Sequence, residues 1–456
     1  MRKIAAITLL CGLAALRSVA QTSPPAAGPQ TYSFTLAECI AYAYEHQDSI
    51  KNAKLDVANA DLRIKEVKGQ GLPQIDGSIT FQDYLRAPAQ LAPAGLFSGN
   101  YNPKAPLEVL PFGPVQYSNT FQAQASQLLF NGSFFVGLQA VKTYKELSQR
   151  QLARTKIQIN VGVSKAYYQM LVSVEQIKLL DANIAQLKQT FNETSQQNKQ
   201  GFVEKIDVDR LEVQYNNLVT TRQNVERTLE ITDAMLKFQM GMPIGDKLTL
   251  TDKLSDVNLT QNLAETAADT TFYRNRVEYG LLETAKNLNE LEVKNRKAEF
   301  MPTAFANAAF ANVFQENQTK YLYSHPYPYS FVGLNISIPI FSGFQRSSRL
   351  QQAKITVEKS KNDLHNAKNG LTLQGTAARV TYINSLQSLT NQKRNQGLAN
   401  EVLRVSKIKY GQGVGSSIEV TQAQTALETA NNDYIQSLYD ALINKVNLDQ
   451  AYGRIQ

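Results

Sequence analysis

Side chains that could act as nucleophiles, general bases or metal ligands are few in this sequence and lie far apart. There are three histidines, His46, His325 and His365, and two cysteines, Cys11 and Cys39. Covalent catalysis needs a nucleophile beside a base, and a zinc site needs Cys and His ligands at short spacings. Neither pattern is present, and no phosphate-binding glycine loop opens a helix. We therefore expect no enzyme activity, no cofactor and no metal site.

Two carboxylates stand at matching places in the two halves of the chain. Asp207 lies in an Ile-Asp-Val tripeptide, and Glu419 lies in an Ile-Glu-Val tripeptide 212 residues later. Each follows a glycine turn, at Gly201 and Gly413, where a helix is expected to begin. Two interpretations stay open. Copies of Glu419 around a narrow pore would attract and bind divalent cations, or both carboxylates only complement a helix dipole, worth ~0.3–1 kcal/mol.

Two long helices are predicted to position these turns. They run from Ser133 to Gln200 and from Gln345 to Tyr410, and neither contains a proline. At ~1.5 Å of rise per residue each would be ~100 Å long and would need partners along its whole length. Apolar residues spaced by threes and fours between Val163 and Phe191 form a narrow stripe, which is typical of coiled-coil packing.

The N-terminus has the pattern of a secretory signal. Arg2 and Lys3 precede an apolar run that contains Cys11, and small residues precede Gln21, so residues 1–20 are predicted to be a signal peptide and 21–34 an extended leader. Cys39 then remains alone, so no internal disulfide is expected. The formal charge of +8 falls to about +5 and is spread along helices, which disfavours a nucleic-acid partner. No later apolar run approaches the ~20 residues of a membrane-spanning helix.

Residues 35–243 are predicted to form a first structural repeat. Thr35 and Glu38 fit a capping box that starts a helix ending near Lys68. Two alternating strands follow within 73–130, separated by a Pro-rich loop from Leu85 to Pro114. The long helix 133–200 and a return helix 206–240 complete the unit.

The same order is predicted again in residues 263–456, after an inter-repeat linker at 244–262. A shift of 229 residues superimposes Pro73 on Pro302, and shifts of 211 or 212 superimpose Gly132 on Gly343. The second repeat has two strands within 302–341, a long helix 345–411 and a return helix 417–450. In each half the two shorter helices together match the long one, which predicts a barrel of helices of uniform height.

The four strands have the alternating pattern of an outer-membrane barrel. In hydrocarbon every backbone polar group must be paired, so strands cross a membrane only as a closed barrel. Closed membrane barrels have at least about eight strands, so this chain would have to pool its four with copies of itself, and a trimer would supply twelve. An amphipathic sheet that caps a soluble helical protein is the alternative. Four tyrosines would mark the membrane boundary as an aromatic girdle: Tyr321, Tyr323, Tyr327 and Tyr329.

Several short motifs, in the same order in both halves, resemble the TolC family of outer-membrane efflux proteins. The resemblance covers Thr31 to Gly453. The motifs are Thr35 to Ala43 and His46-Gln47-Asp48-Ser49, Leu72-Pro73-Gln74-Ile75, Gln127-Leu128-Leu129-Phe130-Asn131-Gly132, Pro339-Ile340-Phe341-Ser342-Gly343, and Tyr410-Gly411-Gln412-Gly413-Val414-Gly415-Ser416-Ser417-Ile418-Glu419-Val420.

This resemblance implies an α+β membrane protein with an internal duplication. A long α-helical coiled-coil barrel in the periplasm would continue a trimeric, twelve-stranded β-barrel in the bacterial outer membrane. Its partners would be two further copies, a periplasmic adaptor (membrane fusion) protein, an inner-membrane transporter, for example of the resistance-nodulation-division type, and outer-membrane lipid. The expected function is a passive exit duct of a tripartite efflux system for drugs or other small molecules.

The resemblance also assigns roles near the two glycine turns, which would be the distal periplasmic tips. Glu419 matches a constriction acid of the family, whereas Gln422 replaces a second acid found in some members. Asp207 matches a residue that ties neighbouring tips, and Gly415 replaces its arginine partner. Tyr410 is expected to pack in the tip turn. The adaptor-contacting turns would comprise Gly201, Phe202, Gly413, Val414, Gly415 and Ser416.

Two other functions stay open at this stage. The protein could be an outer-membrane duct for type I protein secretion, since the inner-membrane partner selects what is transported. It could also be a structural coiled-coil envelope protein or adhesin without a through-pore.

Overall fold

The structure is a computed structural model that describes residues 30–86, 91–94, 102–109, 115–254, 259 and 271–455. The predicted signal peptide, most of the leader, and parts of the Pro-rich loop and of the inter-repeat linker lie outside the described residues.

Two halves repeat one order of elements. The first contains β1 (Thr31–Phe34), α1 (Leu36–His46), α2 (Asp48–Gly69), β2 (Gln74–Asp83), β3 (Leu91–Pro93), β4 (Leu107–Val109), β5 (Tyr117–Asn131), α3 (Gly132–Lys199) and α4 (Lys205–Met240). After β6 (Lys247–Leu250), the second contains a 3-10 turn (Phe272–Asn275), α5 (Val277–Ala298), β7 (Thr303–Glu316), β8 (Pro326–Ser337), α6 (Gln345–Gly411) and α7 (Ser417–Ala451).

The first helix of the first half is broken, which corrects the single helix expected from Thr35 to Lys68, and in the second half extended Arg276 likewise separates a 3-10 turn from α5. The Thr35 capping box is present, but Gln47 is extended, with φ −69° and ψ 123°, and separates α1 from α2. The reason is a close contact: Gly241 has φ +70°, and a Cβ there would lie 2.8 Å from the Gln47 Cα. Gly453 has φ +67° and approaches the Asn275 carbonyl oxygen in the same way. The break is therefore a repeated feature of the duplicated unit.

Four long strands form one antiparallel sheet in the order β2-β5-β7-β8, so β2 and β8 have open outer edges. The last strand begins at Pro326 and ends at Ser337, so it stops before residue 341, where the predicted strand region of the second repeat ended. Pro339 has no backbone N–H to donate to a neighbouring strand, and the chain then turns through Gly343 (φ +59°) toward α6. The Pro-rich loop is not wholly irregular, because β3 and β4 pair within it.

The pairing register gives the sheet one apolar and one polar face. The apolar face combines aromatic and aliphatic side chains from all four strands: Ile75, Ile79, Phe81, Phe121, Phe310, Phe314, Val332, Leu334 and Ile336. The polar face carries Gln74, Asp76, Thr80, Gln122, Gln124, Asn307 and Asn335. Successive strand residues point to opposite faces, which is why the alternating sequence produces this separation.

The main hydrophobic core surrounds the middle of α3. Buried side chains of α1, α3, α4 and α7, including Cys39, Tyr167, Met240 and Leu442, pack together there. The extended leader contributes through β1, which pairs in parallel with β6 of the linker. Asp252 accepts hydrogen bonds from the Tyr167 hydroxyl (2.7 Å) and a helix N–H, so leader, linker and long helix are joined. No helix among the described residues has the length and hydropathy required to cross a membrane.

Candidate functional site

Two tight turns connect the long helices to their return helices. Gly201, after α3, has φ +80°, and Gly413, after α6, has φ +75°. Both values lie in the left-handed region, which glycine adopts without steric penalty. Ser417, at the start of α7, donates its hydroxyl to the Asp207 carboxylate near the start of α4. The two turns therefore lie side by side at one end of the molecule, and we call them together the tip.

Asp207 is the main polar link within the tip. Besides Ser417 it contacts Arg210, with 3.5 Å between the guanidinium nitrogen and the carboxylate oxygen. Its side chain is only 16% exposed. The largely buried carboxylate therefore accepts a hydrogen bond from the other helical hairpin, and this bond joins the α3–α4 hairpin to the α6–α7 hairpin of the same chain.

Glu419 and Gln422 are both exposed on α7. The Glu419 backbone N–H donates to the Ser416 hydroxyl at 3.2 Å, which makes Ser416 the N-cap of α7. Within the described chain the Glu419 carboxylate forms no ion pair, so it remains available to an external cation. The acidic ring predicted from several copies of Glu419 is an arrangement between chains and stays a prediction.

Tyr410 is half-buried near the end of α6. Its ring packs against an apolar cluster that includes Leu403, Val420 and Leu427. Burial raises the pKa of Tyr410, and the nearby Asp207 charge adds to the increase. Tyr410 thus packs within the tip of its own chain, and its functional role stays a prediction.

The surface of the tip is apolar as well as glycine-rich. Phe202 is 80% exposed and Val414, its counterpart in the second repeat, is 76% exposed. Gly415 has no room for a side chain, because a Cβ would lie 2.9 Å from the Lys409 Cβ and 3.0 Å from the Tyr410 nitrogen. A side chain at this position would therefore require the end of α6 to shift.

The four tyrosines predicted as one girdle are divided between the two faces of the sheet. The Tyr323 hydroxyl accepts from Asn119 at 2.7 Å and its ring lies 5.3 Å from that of Phe314, on the apolar face. Tyr321 lies in a 3-10 turn, with the Lys320 ammonium over its ring. Tyr327 and Tyr329 lie instead on the polar face, paired with Val313 and Ala311.

The predicted girdle left out several aromatic side chains of the apolar face. Phe81 and Tyr117 have ring centroids 6.4 Å apart, and Phe121 meets Phe314 edge to face at 5.8 Å. The period-two pattern assigns Phe81, Tyr117 and Phe121 to the apolar series of their own strands, but only the pairing between strands shows which of these rings meet.

The chain matches the family model described as "Outer membrane efflux protein" over residues 40–238 and 292–454. It is 19% identical to the outer membrane protein TolC of Vibrio cholerae, over 72% of this chain and 75% of that protein. It is 22% identical to the proteases secretion protein PrtF of Dickeya chrysanthemi, over 69% of this chain and 68% of that protein.

The solved structure of CusC, whose description refers to transmembrane channel formation, has a similar fold. The TM-score is 0.74 at 15% identity, with 94% of each chain covered. These likenesses confirm the family resemblance and the predicted fold class, in which long helices and a four-stranded sheet are combined by internal duplication.

Proposed function

Because this chain belongs to the outer membrane efflux protein family, we propose that three copies form the outer-membrane exit duct of a tripartite efflux system. In this proposal the sheets lie in the outer membrane and the helices extend into the periplasm. The duct itself is passive, and drugs or other small molecules are driven through it by an inner-membrane pump. The single observation that carries the proposal is the open sheet with one apolar and one polar face.

The sheet geometry supports assembly from identical copies. β2 and β8 run in opposite directions, because an even number of antiparallel strands separates their outer edges. The β8 of one copy can therefore pair antiparallel with the β2 of the next, and the ring closes without a mismatch. Closure also removes the unpaired backbone groups that hydrocarbon does not tolerate. Three copies, the number that the family resemblance implies, give twelve strands.

The two outer helices of the helical part, α6 and α4, each expose a stripe of apolar side chains. On one side, α6 exposes Leu373, Leu398 and Val402, and on the other, α4 exposes Val213 and Met235. Within the chain α6 packs mainly on α5 and α7, and α4 packs mainly on α3. Apolar stripes of this kind on long helices normally pack against further helices, and a neighbouring copy provides them.

The tip is the surface on which we place the periplasmic adaptor. Phe202 and Val414 project two equivalent apolar side chains from the tight turns at Gly201 and Gly413, and the hydrogen bond from Ser417 to Asp207 joins the two hairpins behind them. Threefold assembly would present six such side chains at one end. An adaptor with apolar helical ends would fit this surface, and its inner-membrane transporter would select the transported compound.

Two measurements test the proposal. Purified protein in a planar bilayer should form stable ion-conducting channels, and affinity purification from the native envelope should recover an adaptor with a transporter of the efflux class. Absence of channels would favour the structural coiled-coil alternative. Recovery of a protein-secretion transporter would favour the type I secretion duct, a candidate supported by the similarity to PrtF.

A further inference from the structure

Three aromatic side chains occupy alternate positions at the outer end of β8. Tyr327, Tyr329 and Phe331 are 58%, 45% and 50% exposed. They lie on the polar face of the sheet, since they pair with Val313, Ala311 and Ala309 of β7. Alternate strand residues are ~6.6–6.8 Å apart, so the three rings form a ladder along the strand. The end at Tyr327 is the one farther from α6, because β8 leads toward that helix at Ser337.

The surroundings of this ladder are polar and weakly acidic. The same face presents Gln122 and Gln124 on β5 and Thr80 on β2. Asp76 is the only ionisable side chain, other than the tyrosines, on this face of the four long strands, and no Lys, Arg or His accompanies it. Most large apolar side chains of these four strands lie on the opposite face, and besides the ladder this face carries only Leu128, Phe305 and Val313.

The small neighbours of the ladder leave its rings accessible. Ala309 and Ala311, beside Phe331 and Tyr329, have no side-chain atoms beyond Cβ with which to cover them. Lipid would not reach the rings, because the lipid-facing side is the one that carries Val332 and Leu334. In the proposed ring the outer edge of β8 forms backbone hydrogen bonds with the next copy. The side chains of the ladder project from the polar face, which lines the lumen.

We propose that Tyr327, Tyr329 and Phe331 form a luminal stacking site for planar aromatic cations at the outer mouth of the channel. The inference rests on the proposed function, since it places the polar face inside a closed barrel. Aromatic faces attract cations and stack with flat rings. If the three rings bind a cation with similar affinity, the cation can pass from one ring to the next. Weak binding at successive sites lets the transported molecule leave the channel.

The test is block of single-channel current by propidium, a planar aromatic dication, added to the extracellular side. Decamethonium, a dication without aromatic rings, is the matched probe. We expect propidium to block the wild-type channel and the triple variant Tyr327→Leu, Tyr329→Leu, Phe331→Leu to be blocked about tenfold more weakly. Decamethonium block should weaken by a clearly smaller factor, because its quaternary ammonium groups can contact a ring face but cannot stack on it. Phe310→Leu, which removes a ring from the apolar face of the same sheet, is the control and should behave as wild type.

Single substitutions make the test independent of how well the triple variant folds. Tyr329→Phe keeps the ring and should preserve propidium block, whereas Tyr329→Leu should weaken it. Equal propidium block in wild type, Tyr329→Leu and the triple variant would overturn the stacking site while leaving the channel intact. A wild-type protein that forms no channels would instead remove the proposed function on which the site depends.

Discussion

At the scale of single residues, the tip contains two carboxylates with different surroundings. Asp207 is enclosed and bonded to Ser417 and Arg210, whereas Glu419 is exposed and forms no ion pair among the described residues. The first can hold two hairpins together, and the second can meet an ion from solution. The residue pattern alone placed both at equivalent positions without separating their surroundings, because the difference arises from contacts with the other repeat.

The exposed carboxylate leads to a prediction about ion block. Glu419→Ala should weaken block of the open channel by divalent cations, because three such carboxylates in a narrow pore would focus a negative potential. We expect an increase of about tenfold in the blocking concentration. Gln422→Ala, an uncharged change on the same helix, should leave block unaltered. If divalent cations block the Glu419→Ala channel as strongly as the wild type, Glu419 does not bind them in the pore and only complements the dipole of α7.

A second residue-scale prediction concerns Glu428 of α7. Burial raises its pKa, and the hydrogen bond donated by the Gln424 amide only partly offsets this. A carboxyl whose folded-state pKa is raised destabilises the fold once the pH exceeds its ordinary value, here 4.5. Glu428→Gln should therefore raise the melting temperature at pH 7 by about 1–3 °C, and the gain should vanish below pH 4.5.

The matched control for Glu428 is Glu212→Gln, at an exposed position on α4. This variant and the wild type should have nearly the same melting temperature both at pH 7 and below pH 4.5. The same gain in both variants, or a gain from Glu428→Gln that persists at low pH, would contradict the assignment of the effect to burial.

At the scale of elements, the long helices were predictable and the breaks in the shorter ones were not. The predicted helix from Ser133 to Gln200 corresponds to Gly132–Lys199, because uninterrupted helix formers end at a glycine turn. The extended conformation of Gln47 depends on the backbone of Gly241, which is distant in sequence. In the same way, Tyr327 and Tyr329 could be assigned to a strand, but the face they occupy is set by pairing with β7.

Gly453 provides the test at this scale. Gly453→Ala should destabilise the protein by about 2–4 kcal/mol, because φ is +67° and the new Cβ would lie 2.8 Å from the Asn275 carbonyl oxygen. Gly370→Ala is the control within α6, where nothing lies within 4 Å of an added Cβ. That change should be stabilising by about 0.5–1 kcal/mol. Thermal unfolding in detergent measures both variants. Equal changes in stability would contradict the claim that Gly453 is required by its close contact with Asn275.

At the scale of the whole molecule, the main feature is an incomplete sheet on a set of unusually long helices. The apolar face requires a nonpolar environment, the polar face requires water, and both open edges require hydrogen-bond partners. A ring of copies satisfies all three requirements at once. The alternation was visible in the sequence, but the open order β2-β5-β7-β8 became apparent only from the pairing.

The most direct test of this account is the mass of the mature protein extracted from membranes in mild detergent, measured by native mass spectrometry. We expect a species of three times the chain mass that needs detergent to remain dispersed. A monomer that stays soluble without detergent would contradict the closed ring, and with it the exit duct.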